Sequence, residues 1–444
     1  MIQLNIGFDD TDSLTGGCTT YIGARLVHRL EKEAKAQFID YPNLIRLNPD
    51  IPYKTRGNGA VCLRIKIEEN MLQKVEEIVI EEIEENSDFK CEKTHPGIVF
   101  LQGPVPPQLK TFAEKALTDV IMLEEAIKTA NKVNAKTVTY KKGRGIIGAL
   151  AAIGNTLEND HTYELLTYRT PEHWGTPRTV DTQSIYLMDK LTHPETFNNI
   201  DHQEQRILIT PRGPDPVLYG IRGETPEIVK LAHKIVVSYE PIERWVIYRT
   251  NQGTDEHLNK TKLKKIKDIK PYTPTKTLVK IIDTPKTIPG GHVIVKAADQ
   301  TGTIHLAAYE PTGNFRKIIK KLIPGDTVIA YGTIKPKPNT PLTLNLEKIE
   351  IIKLAPKIIY KNPKCPKCGK TMESAGKNQG YRCKKCKTHI KNITKQKIQI
   401  PRQLKPGTYL PTPKAHRHLT KPLQRYNKTN KTKPTKLIPK WHHP

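Results

Sequence analysis

The loop formed by residues 7–20, GFDDTDSLTGGCTT, concentrates the residue types that bind metal ions and phosphates. Its carboxylates fall within four consecutive positions, at Asp9, Asp10 and Asp12. Carboxylates crowded in this way repel one another unless a cation lies among them, and carboxylate oxygens are ligands that Mg²⁺ prefers. An Asx-type turn with capping side chains commonly explains a single aspartate–threonine pair, but it leaves the cluster unexplained. We therefore expect this loop to handle a nucleotide and its metal ion.

The segments around the loop predict how its side chains are positioned. Residues 1–6, MIQLNI, alternate apolar and polar positions and predict a half-buried strand. Residues 21–30 have the apolar spacing of a helix start. Gly16 and Gly17 lie just before that helix, where backbone N–H groups can bind a phosphate. Strand, acidic glycine-rich loop and helix together suit a nucleotide site.

Two other stretches carry glycines next to basic residues. In YKTRGNGA, Lys54 and Arg56 could bind a phosphate or a ribose, although a surface turn before a strand fits equally well. In KKGRGIIGALAAIG, Lys142 and Arg144 at a helix start could form an anion cradle. Close packing of that helix through its glycines and alanines is the alternative. The second stretch is not a Walker A loop, because no Gly-Lys-Ser/Thr ends it.

The charge of the 444-residue chain is strongly positive and unevenly distributed. The formal net charge is +27, and after Glu350 the only acidic residue is Glu373. An excess of one sign over such a length indicates a polyanionic partner, most simply a nucleic acid. There is no run of eighteen apolar residues and no secretory leader pattern. Together with few scattered cysteines, these features predict a cytoplasmic protein with no membrane partner, and no protein partner is indicated.

The order of predicted elements indicates a multidomain α+β protein. Residues 1–140 predict an α/β region that handles a nucleotide and begins with the acidic loop. Residues 141–258 alternate strands with two helices, the pattern of a ferredoxin-like domain. Residues 271–355 give five short strands with a helix between the third and fourth, the order of an OB-fold β-barrel that binds single-stranded nucleic acid. Its candidate base-stacking residues, unless they belong to the core, are Tyr309, Phe315 and Tyr331.

The C-terminal part contains a metal-binding pattern followed by a basic segment. Residues 360–390 hold two CxxC pairs, Cys365 with Cys368 and Cys383 with Cys386. Four thiolates at this spacing close a tetrahedral Zn²⁺ site, and a site without an open position is structural. This predicts a zinc ribbon. Residues 391–444 contain no acid and many lysines and prolines, which predicts a disordered or draped basic tail.

Four segments, taken together, resemble the archaeal tRNA-Ile agmatidine synthetases. They are GFDDTDSLTGGCTTYIGARL, IRLNPDIPYKTRGNGA, GRGIIGALAAIG and YRTNQGTDEHL. The resemblance extends from residue 1 to the zinc ribbon and implies a kinase-like domain over residues 1–140, before the ferredoxin-like domain, OB-fold and ribbon. It also implies an activity, the ATP-dependent conjugation of agmatine to C2 of the wobble cytidine in tRNA-Ile with a CAU anticodon. The modified tRNA then reads AUA.

The resemblance further implies roles for individual residues. Thr19, the threonine after the cysteine of the GxCTT motif, would be a phosphorylation site. The three loop aspartates would hold Mg²⁺ on the ATP phosphates or orient the acceptor, and their spacing does not say which acid does which. Agmatine carries an ammonium and a guanidinium, so its pocket needs carboxylates or aromatic rings. The candidates for that pocket are Asp215, Asp255 and Trp174.

The tRNA must also be accommodated. The wobble base has to leave the anticodon stack to reach the site, and the OB-fold and ribbon would hold the rest of the tRNA. Two other functions stay open. A non-catalytic single-strand-binding protein would use the OB-fold and ribbon alone, but it has no use for three carboxylates facing a polyanion. A ligase for another amine could share the same N-terminal half, because the residues themselves do not distinguish agmatine from other polyamines.

Overall fold

The N-terminal region is a sheet with helices on both faces. A computed structural model describes residues 1–55, 57–336 and 340–444, so the predicted phosphate ligand Arg56 lies outside the described residues. The elements of this region are β1 (Ile2–Asp9), α1 (Thr19–Ala34), β2 (Gln37–Phe38), β3 (Asn43–Arg46), β4 (Gly59–Ile67), α2 (Leu72–Asn86), β5 (Gly97–Gln102), α3 (Pro107–Thr118), α4 (Leu123–Lys132), β6 (Lys136–Thr139) and α5 (Gly145–Gly154).

Strand β1 is buried on both faces, not on one face as its alternating pattern predicts. Leu4, Ile6 and Phe8 face the core formed with α1 and α2. The opposite face, which carries Asn5 and Gly7, is covered by α5. A Cβ at Gly7 would overlap the carbonyl of Ala149, so the glycine permits this close approach. The strand pairs with β4 on one side and β5 on the other, which places its acidic end at the middle of the sheet.

The second region alternates strands with two main helices, as the sequence predicts. Its elements are β7 (Thr162–Arg169), α6 (Thr182–Thr192), β8 (Thr196–Phe197), β9 (Ile200–Asp201), β10 (Arg206–Ile207), β11 (Val217–Gly223), α7 (Pro226–Ile235), β12 (Ile242–Thr250) and the short helix α8 (Glu256–Asn259). Strand β7 lies between β11 and β12, and both of its pairings are antiparallel.

The sheets of the two regions are continuous. Strand β12 pairs in parallel with β3, and the register places Arg249 opposite Asn43 and Thr250 opposite Leu44. The combined strand order is β6-β5-β1-β4-β3-β12-β7-β11-β8. The two predicted domains therefore share a single backbone hydrogen-bond network where they meet.

The third region is a closed barrel, which confirms the predicted OB-fold. Its elements are β13 (Pro274–Ile281), β14 (Lys286–Ile288), β15 (His292–Ala298), β16 (Thr303–Ala308), α9 (Phe315–Lys320), β17 (Thr327–Ile334) and β18 (Thr343–Lys353). Strand β13 pairs with both β17 and β15, while β18 joins β17 to β16 and so closes the ring. The helix lies between the third and fourth barrel strands, as expected.

The zinc ribbon follows the barrel, and the basic segment after it returns to the rest of the molecule. The strands are β19 (Lys357–Lys361), β20 (Glu373–Ser374), β21 (Tyr381–Arg382), β22 (His389–Ile390), β23 (Gln396–Ile400), β24 (Gly407–Tyr409) and β25 (His442–His443). Strand β23 pairs with β19, β24 with barrel strand β18, and β25 with β12 of the shared sheet. Within the described ranges, none of the helices has the length and apolar character needed to cross a membrane.

Of the two forms predicted for residues 391–444, disordered or draped, the structure shows the draped one, and the expectation of disorder is wrong. The segment is draped over the first three regions and anchored by buried groups. The Arg425 side chain is completely buried and binds Glu224 and Asp160, and Trp441 packs in the core of the shared sheet. The tail has no acid of its own, so the partners of its cations lie far away in the sequence. For this reason its local composition does not reveal that it is ordered.

Candidate active site

The acidic loop opens into a cavity of about 600 Å³ where the first two regions meet. Its wall is formed by the end of β1, the start of α1, strands β3 and β11, and residues 413–418 of the C-terminal segment. Of the residues predicted from sequence, the wall includes Asp9, Asp10, Asp12, Thr19, Lys54, Arg144 and Asp215. Gly16 and Gly17 lie in the turn before α1, outside this wall.

The backbone of the acidic loop turns immediately after β1. Asp10 adopts a left-handed conformation with φ of 62°, which aspartate tolerates better than most residues. Its carboxylate accepts hydrogen bonds from Arg144, 2.9 Å from Nη2 and 3.2 Å from Nε. The Thr94 hydroxyl donates to the backbone carbonyl of Asp12 at 2.8 Å and so fixes the next part of the loop.

The electrostatic environment of the loop favours binding of a cation. Burial, together with the charges of Asp10 and Asp12, raises the pKa of Asp9 to about 8 against the opposing charge of Arg144. Burial also raises the pKa of Asp10, although its ion pair with Arg144 opposes the change. A cation among these carboxylates would relieve their repulsion and keep them ionised. The donor set therefore fits a hard divalent ion such as Mg²⁺.

Thr19 occupies the first position of α1. Its hydroxyl oxygen lies 2.9 Å from that of Thr11, so the two side chains share a hydrogen bond within the cavity wall. The backbone N–H groups at the start of a helix have no partner inside the helix and favour an anion. The hydroxyl of Thr19 thus lies in the same cavity wall as the carboxylates, at the N-terminus of α1.

The glycine-rich stretch before β7 serves close packing, and its basic residues divide between two surfaces. A Cβ at Gly148 would overlap Oδ2 of Asp9, so α5 reaches the acidic loop only because this position is glycine. Arg144 lies in the cavity, but its guanidinium is engaged with Asp10. Lys142 lines an adjacent basic depression together with Lys141 and Lys93. The packing interpretation therefore holds for the glycines.

Another part of the cavity wall is basic and includes Arg46, Arg222 and His418. Sequence patterns do not identify Arg46 or His418 as site residues. The Arg222 Nε donates to Glu164 at 2.9 Å, and its Nη2 donates to Nδ1 of His418 at the same distance. Burial lowers the pKa of Arg46 to about 10. One signal was present in the sequence, an arginine inside the apolar run NLIRL of β3. His418 carried none, since it lies in a segment of low complexity.

The three residues predicted to form an agmatine pocket lie in different surroundings in the structure. Asp215 lies in the cavity wall, 3.5 Å from Arg178. Trp174 is outside the wall, half-exposed, with its ring edge against Tyr21 and its Nε1 donating to the carbonyl of Arg169. The structure corrects the prediction that Asp255 lies in this pocket. This residue is buried away from the cavity and forms an ion pair of 2.5 Å with Lys348 of the barrel.

The predicted base-stacking residues also need correction. Phe315 is 2% exposed in the barrel core, so a base cannot reach its ring. Tyr331 is nearly buried, with the Lys348 ammonium 4.6 Å from its ring centroid and its hydroxyl donating to Glu350. Tyr309 is partly exposed and edge-on to His292. Phe315 begins helix α9 and points into the barrel core, and Tyr331 is engaged by neighbouring charged side chains, so the stacking role remains a prediction for Tyr309 alone.

The four cysteines of the ribbon converge as predicted. Their sulfur atoms all lie within 4.8 Å of one another, with Cys365 and Cys386 at 3.4 Å and Cys368 and Cys383 at 3.5 Å. Tetrahedral Zn²⁺ with bonds of about 2.3 Å would separate its sulfur ligands by roughly 3.8 Å. The cysteines fit a closed structural zinc site.

Sequence profiles of known families match most of the chain. The profile described as the TiaS TCKD domain matches residues 5–142, and the TiaS FLD domain matches residues 143–257. An OB-fold nucleic acid binding domain matches residues 279–352, and the TiaS C-terminal zinc ribbon domain matches residues 362–404. The chain is also 45% identical over 423 residues to the tRNA(Ile2) 2-agmatinylcytidine synthetase TiaS of Thermococcus sibiricus, covering 95% of this chain and 96% of that protein.

The chain belongs to the TiaS family. This confirms the resemblance to the agmatidine synthetases and the predicted four-part architecture. Two crystal structures of TiaS proteins are similar over 96% of this chain and 98% of theirs. One is a TiaS–tRNA(Ile2)–ATP complex, with a TM-score of 0.87 and 41% identity. The other is a TiaS–tRNA(Ile2)–AMPCPP–agmatine complex, with a TM-score of 0.84 and 39% identity.

Proposed function

We propose that the protein conjugates agmatine to C2 of the wobble cytidine in CAU-anticodon tRNA-Ile at the expense of ATP. The product, agmatidine, pairs with A, so the tRNA reads AUA. The protein would be an ATP-dependent ligase that forms a C–N bond. The observation that carries this proposal is the cavity that brings a triple-carboxylate loop and a basic wall together. TiaS proteins of the same fold form complexes with tRNA(Ile2), ATP and agmatine.

The chemistry explains why such a cavity is needed. The C2 carbonyl of cytosine resembles a urea and is a poor electrophile. Phosphorylation of its oxygen creates a leaving group, after which the primary amine of agmatine can add at C2 and expel phosphate. Phosphoryl transfer depends on positioning and charge neutralisation more than on covalent help. Thr19 lines the same cavity and, as the family resemblance implies, would receive a second phosphoryl group from ATP, which water later releases as phosphate, so that the nucleotide product is AMP.

We assign roles to the cavity residues as follows. Asp9, Asp10 and Asp12 would hold Mg²⁺, which neutralises charge on the ATP phosphates. Lys54 and Arg144 lie in the same wall and would bind phosphate oxygens, with Gly16, Gly17 and Lys142 beside them. Arg56 keeps its predicted phosphate role. Asp215 would bind a cationic end of agmatine, and the exposed edge of Trp174 is a second contact for it.

The remaining regions would bind the tRNA outside the anticodon nucleotide. The ribbon presents exposed lysines around its zinc site, and Tyr309 is the most accessible of the predicted stacking residues in the barrel. We take residues 1–140, 141–258, 271–355 and 360–390 as the functional domains. None of the cysteines among the described residues forms a disulfide, which suits a reducing cytoplasm.

The decisive experiment combines purified protein, Mg·ATP, agmatine and unmodified CAU-anticodon tRNA, followed by mass analysis of anticodon fragments. We expect a gain at the wobble nucleotide equal to agmatine minus water, with AMP released. The same tRNA with uridine at the wobble position is the matched control and should gain nothing. No gain but tight tRNA binding would instead support the non-catalytic binding protein. ATP consumption without a gain would mean that the amine or the RNA is wrong.

A further inference from the structure

Residues 411–430, here called the strap, run across the cavity after the ribbon. The family profiles match no residue beyond 404, so they assign this segment no role. Pro413, Lys414, His416 and His418 nevertheless form part of the cavity wall. The strap therefore contributes side chains to the space that the acidic loop occupies.

The strap is fastened to three regions by ion pairs. Arg417 bridges Asp50 of the N-terminal region, at 2.7 Å, and Glu347 of the barrel, at 3.1 Å. Arg425 is buried against Glu224 and Asp160 of the second region, at 2.7 and 3.1 Å. Breaking a buried pair of this kind is costly because it leaves a charge without a partner. The path of the strap across the cavity is therefore fixed.

Backbone hydrogen bonds fix the part of the strap that faces the cavity. The N–H of Gly253 donates to the carbonyl of His418 at 2.9 Å, and the N–H of Asp255 donates to that of Leu419 at 2.7 Å. These bonds fix two successive carbonyl groups of the strap, at positions 418 and 419. The side chain of His418 lines the cavity.

The imidazole of His418 accepts a hydrogen bond from Arg222. The Arg222 Nη2 lies 2.9 Å from Nδ1 and has no choice but to donate, so the ring proton resides on Nε2. The charge of Arg46, together with desolvation and Arg222, holds the pKa of His418 well below its usual value. The ring is therefore neutral and presents an Nε2–H donor.

Two arginines of the same cavity have unmet hydrogen-bonding capacity. The Nε atoms of Arg46 and Arg206 are buried and have no hydrogen-bond partner among the described residues, although both side chains line the cavity. A buried guanidinium with an unused donor is costly unless an acceptor arrives. An oxyanion with several acceptor oxygens fits such a wall, and phosphate matches the planar fork of arginine.

We propose that the strap is a working part of the active site, in which His418 holds the Arg222 guanidinium beside Arg46 so that the two arginines bind a phosphate oxygen. The phosphate belongs to ATP or to the RNA backbone, and this inference rests on the proposed function for the presence of those substrates. His418 is a positioning residue, because it acts on the phosphate through Arg222.

The test compares His418→Ala with His418→Asn, whose side-chain oxygen can still accept from Arg222. Leu423→Ala, at an exposed position of the same strap, is the matched control. Calorimetry measures the Kd of a non-hydrolysable ATP analogue and, separately, of a CAU anticodon stem-loop, and thermal unfolding is followed for each variant. We expect His418→Ala to weaken one of the two ligands at least about tenfold and His418→Asn to restore most of the affinity, with the melting temperature unchanged.

The pattern of loss identifies the phosphate. Weaker binding of the analogue alone assigns the subsite to ATP, and weaker binding of the stem-loop alone assigns it to the RNA. The proposal is overturned if His418→Ala binds both ligands as Leu423→Ala does. It is also overturned if both His418 variants lose both ligands together with thermal stability. Binding is measured without turnover, so an inactive wild-type protein would refute the proposed reaction and leave this result interpretable.

Discussion

Three carboxylates of one cavity meet different surroundings, and these differences determine what each can do. Asp10 is held by Arg144, and Glu164 is held by Arg222 and Gln252. Asp9 forms no ion pair among the described residues, and desolvation, with the charges of Asp10 and Asp12, raises its pKa to about 8. Addition of Mg²⁺ would replace the part of this shift that comes from repulsion by attraction to the cation.

Asp10→Asn removes one carboxylate and the anionic partner of Arg144. We expect tRNA modification to fall by at least about 100-fold, as is typical when a group that stabilises developing charge is lost. Affinity for tRNA should stay within about twofold. The measurement is the rate of mass gain at the wobble nucleotide, with RNA binding determined in parallel. Glu158→Gln, which breaks only an exposed pair with Lys110, is the control. Modification at the wild-type rate would remove Asp10 from the mechanism.

Gly148→Ala tests whether the packing of α5 positions the acidic loop. The added Cβ would overlap Asp9, so the helix or the carboxylate must shift. We expect modification to be almost abolished and the free energy of unfolding to fall by about 1–3 kcal/mol, the usual cost of overpacking. Chemical denaturation and the modification assay measure the two effects. Gly302→Ala has room for its methyl group and should change neither, and an active, fully stable Gly148→Ala would contradict this account.

At the scale of elements, the strap, the ribbon and helix α5 show what local sequence can and cannot reveal. The ribbon is predictable because all four ligands lie within one short spacing. The barrel is predictable from its strand and helix order. The path of the strap cannot be predicted from local sequence, because the partners of Arg417 and Arg425 lie hundreds of residues earlier in the chain. The same reason explains why the predicted roles of Asp255 and Phe315 could not be corrected from the sequence. Asp255 pairs with a lysine of the barrel, and Phe315 packs among residues of several barrel strands.

Arg425→Met tests how firmly the strap is anchored. It leaves the carboxylate of Glu224 buried without its cation, so we expect the free energy of unfolding to fall by about 3–5 kcal/mol. Denaturant titration provides the measurement, and Leu423→Ala should stay within about 0.5 kcal/mol of wild type. A double variant that adds Glu224→Gln should recover part of the loss. No destabilisation of Arg425→Met would show that the strap is not held through this pair.

Cys383→Ser tests the role of the ribbon as a separate folded element. Its small core contains Cys365, Met372 and Cys383, too little to be stable without a metal ion. We expect loss of one bound zinc per chain, loss of structure confined to the ribbon, and weaker tRNA binding with unchanged binding of the ATP analogue. Metal analysis and the two binding assays report these effects. Cys91→Ser, outside the zinc site, should retain zinc, and retention of zinc by Cys383→Ser would refute the site.

At the scale of the whole molecule, the positive charge and the continuous sheet contribute differently to RNA recognition. The net charge of +27 provides a broad attraction for RNA, while the sheet shared through β3 and β12 holds the two walls of the cavity in register. Nucleic acid is drawn to the positive surface without regard to sequence, and the selectivity resides in the cavity.

Salt concentration should therefore separate the general electrostatic attraction for RNA from the selective binding in the cavity. We expect tRNA affinity to fall by roughly 10³-fold or more between about 50 mM and 200 mM salt, whereas the affinity for agmatine changes far less. A variant with Lys367→Ala and Lys385→Ala on the ribbon should lower the slope of log affinity against log salt by about 2. Filter binding over a salt series measures the slopes. An unchanged slope for this variant would show that the ribbon lysines do not contact phosphate.

The strap also affects when the protein becomes active during its synthesis. Residues 411–443 leave the ribosome after every other element that they join, including β12, to which β25 adds the pairing of Val246 with His442. The barrel can fold earlier as a local unit, since its strands are close in sequence. The cavity wall, in contrast, is completed only when the strap emerges. A nascent chain can thus hold a folded barrel while the cavity is still open, and chemistry has to wait until the strap has left the ribosome.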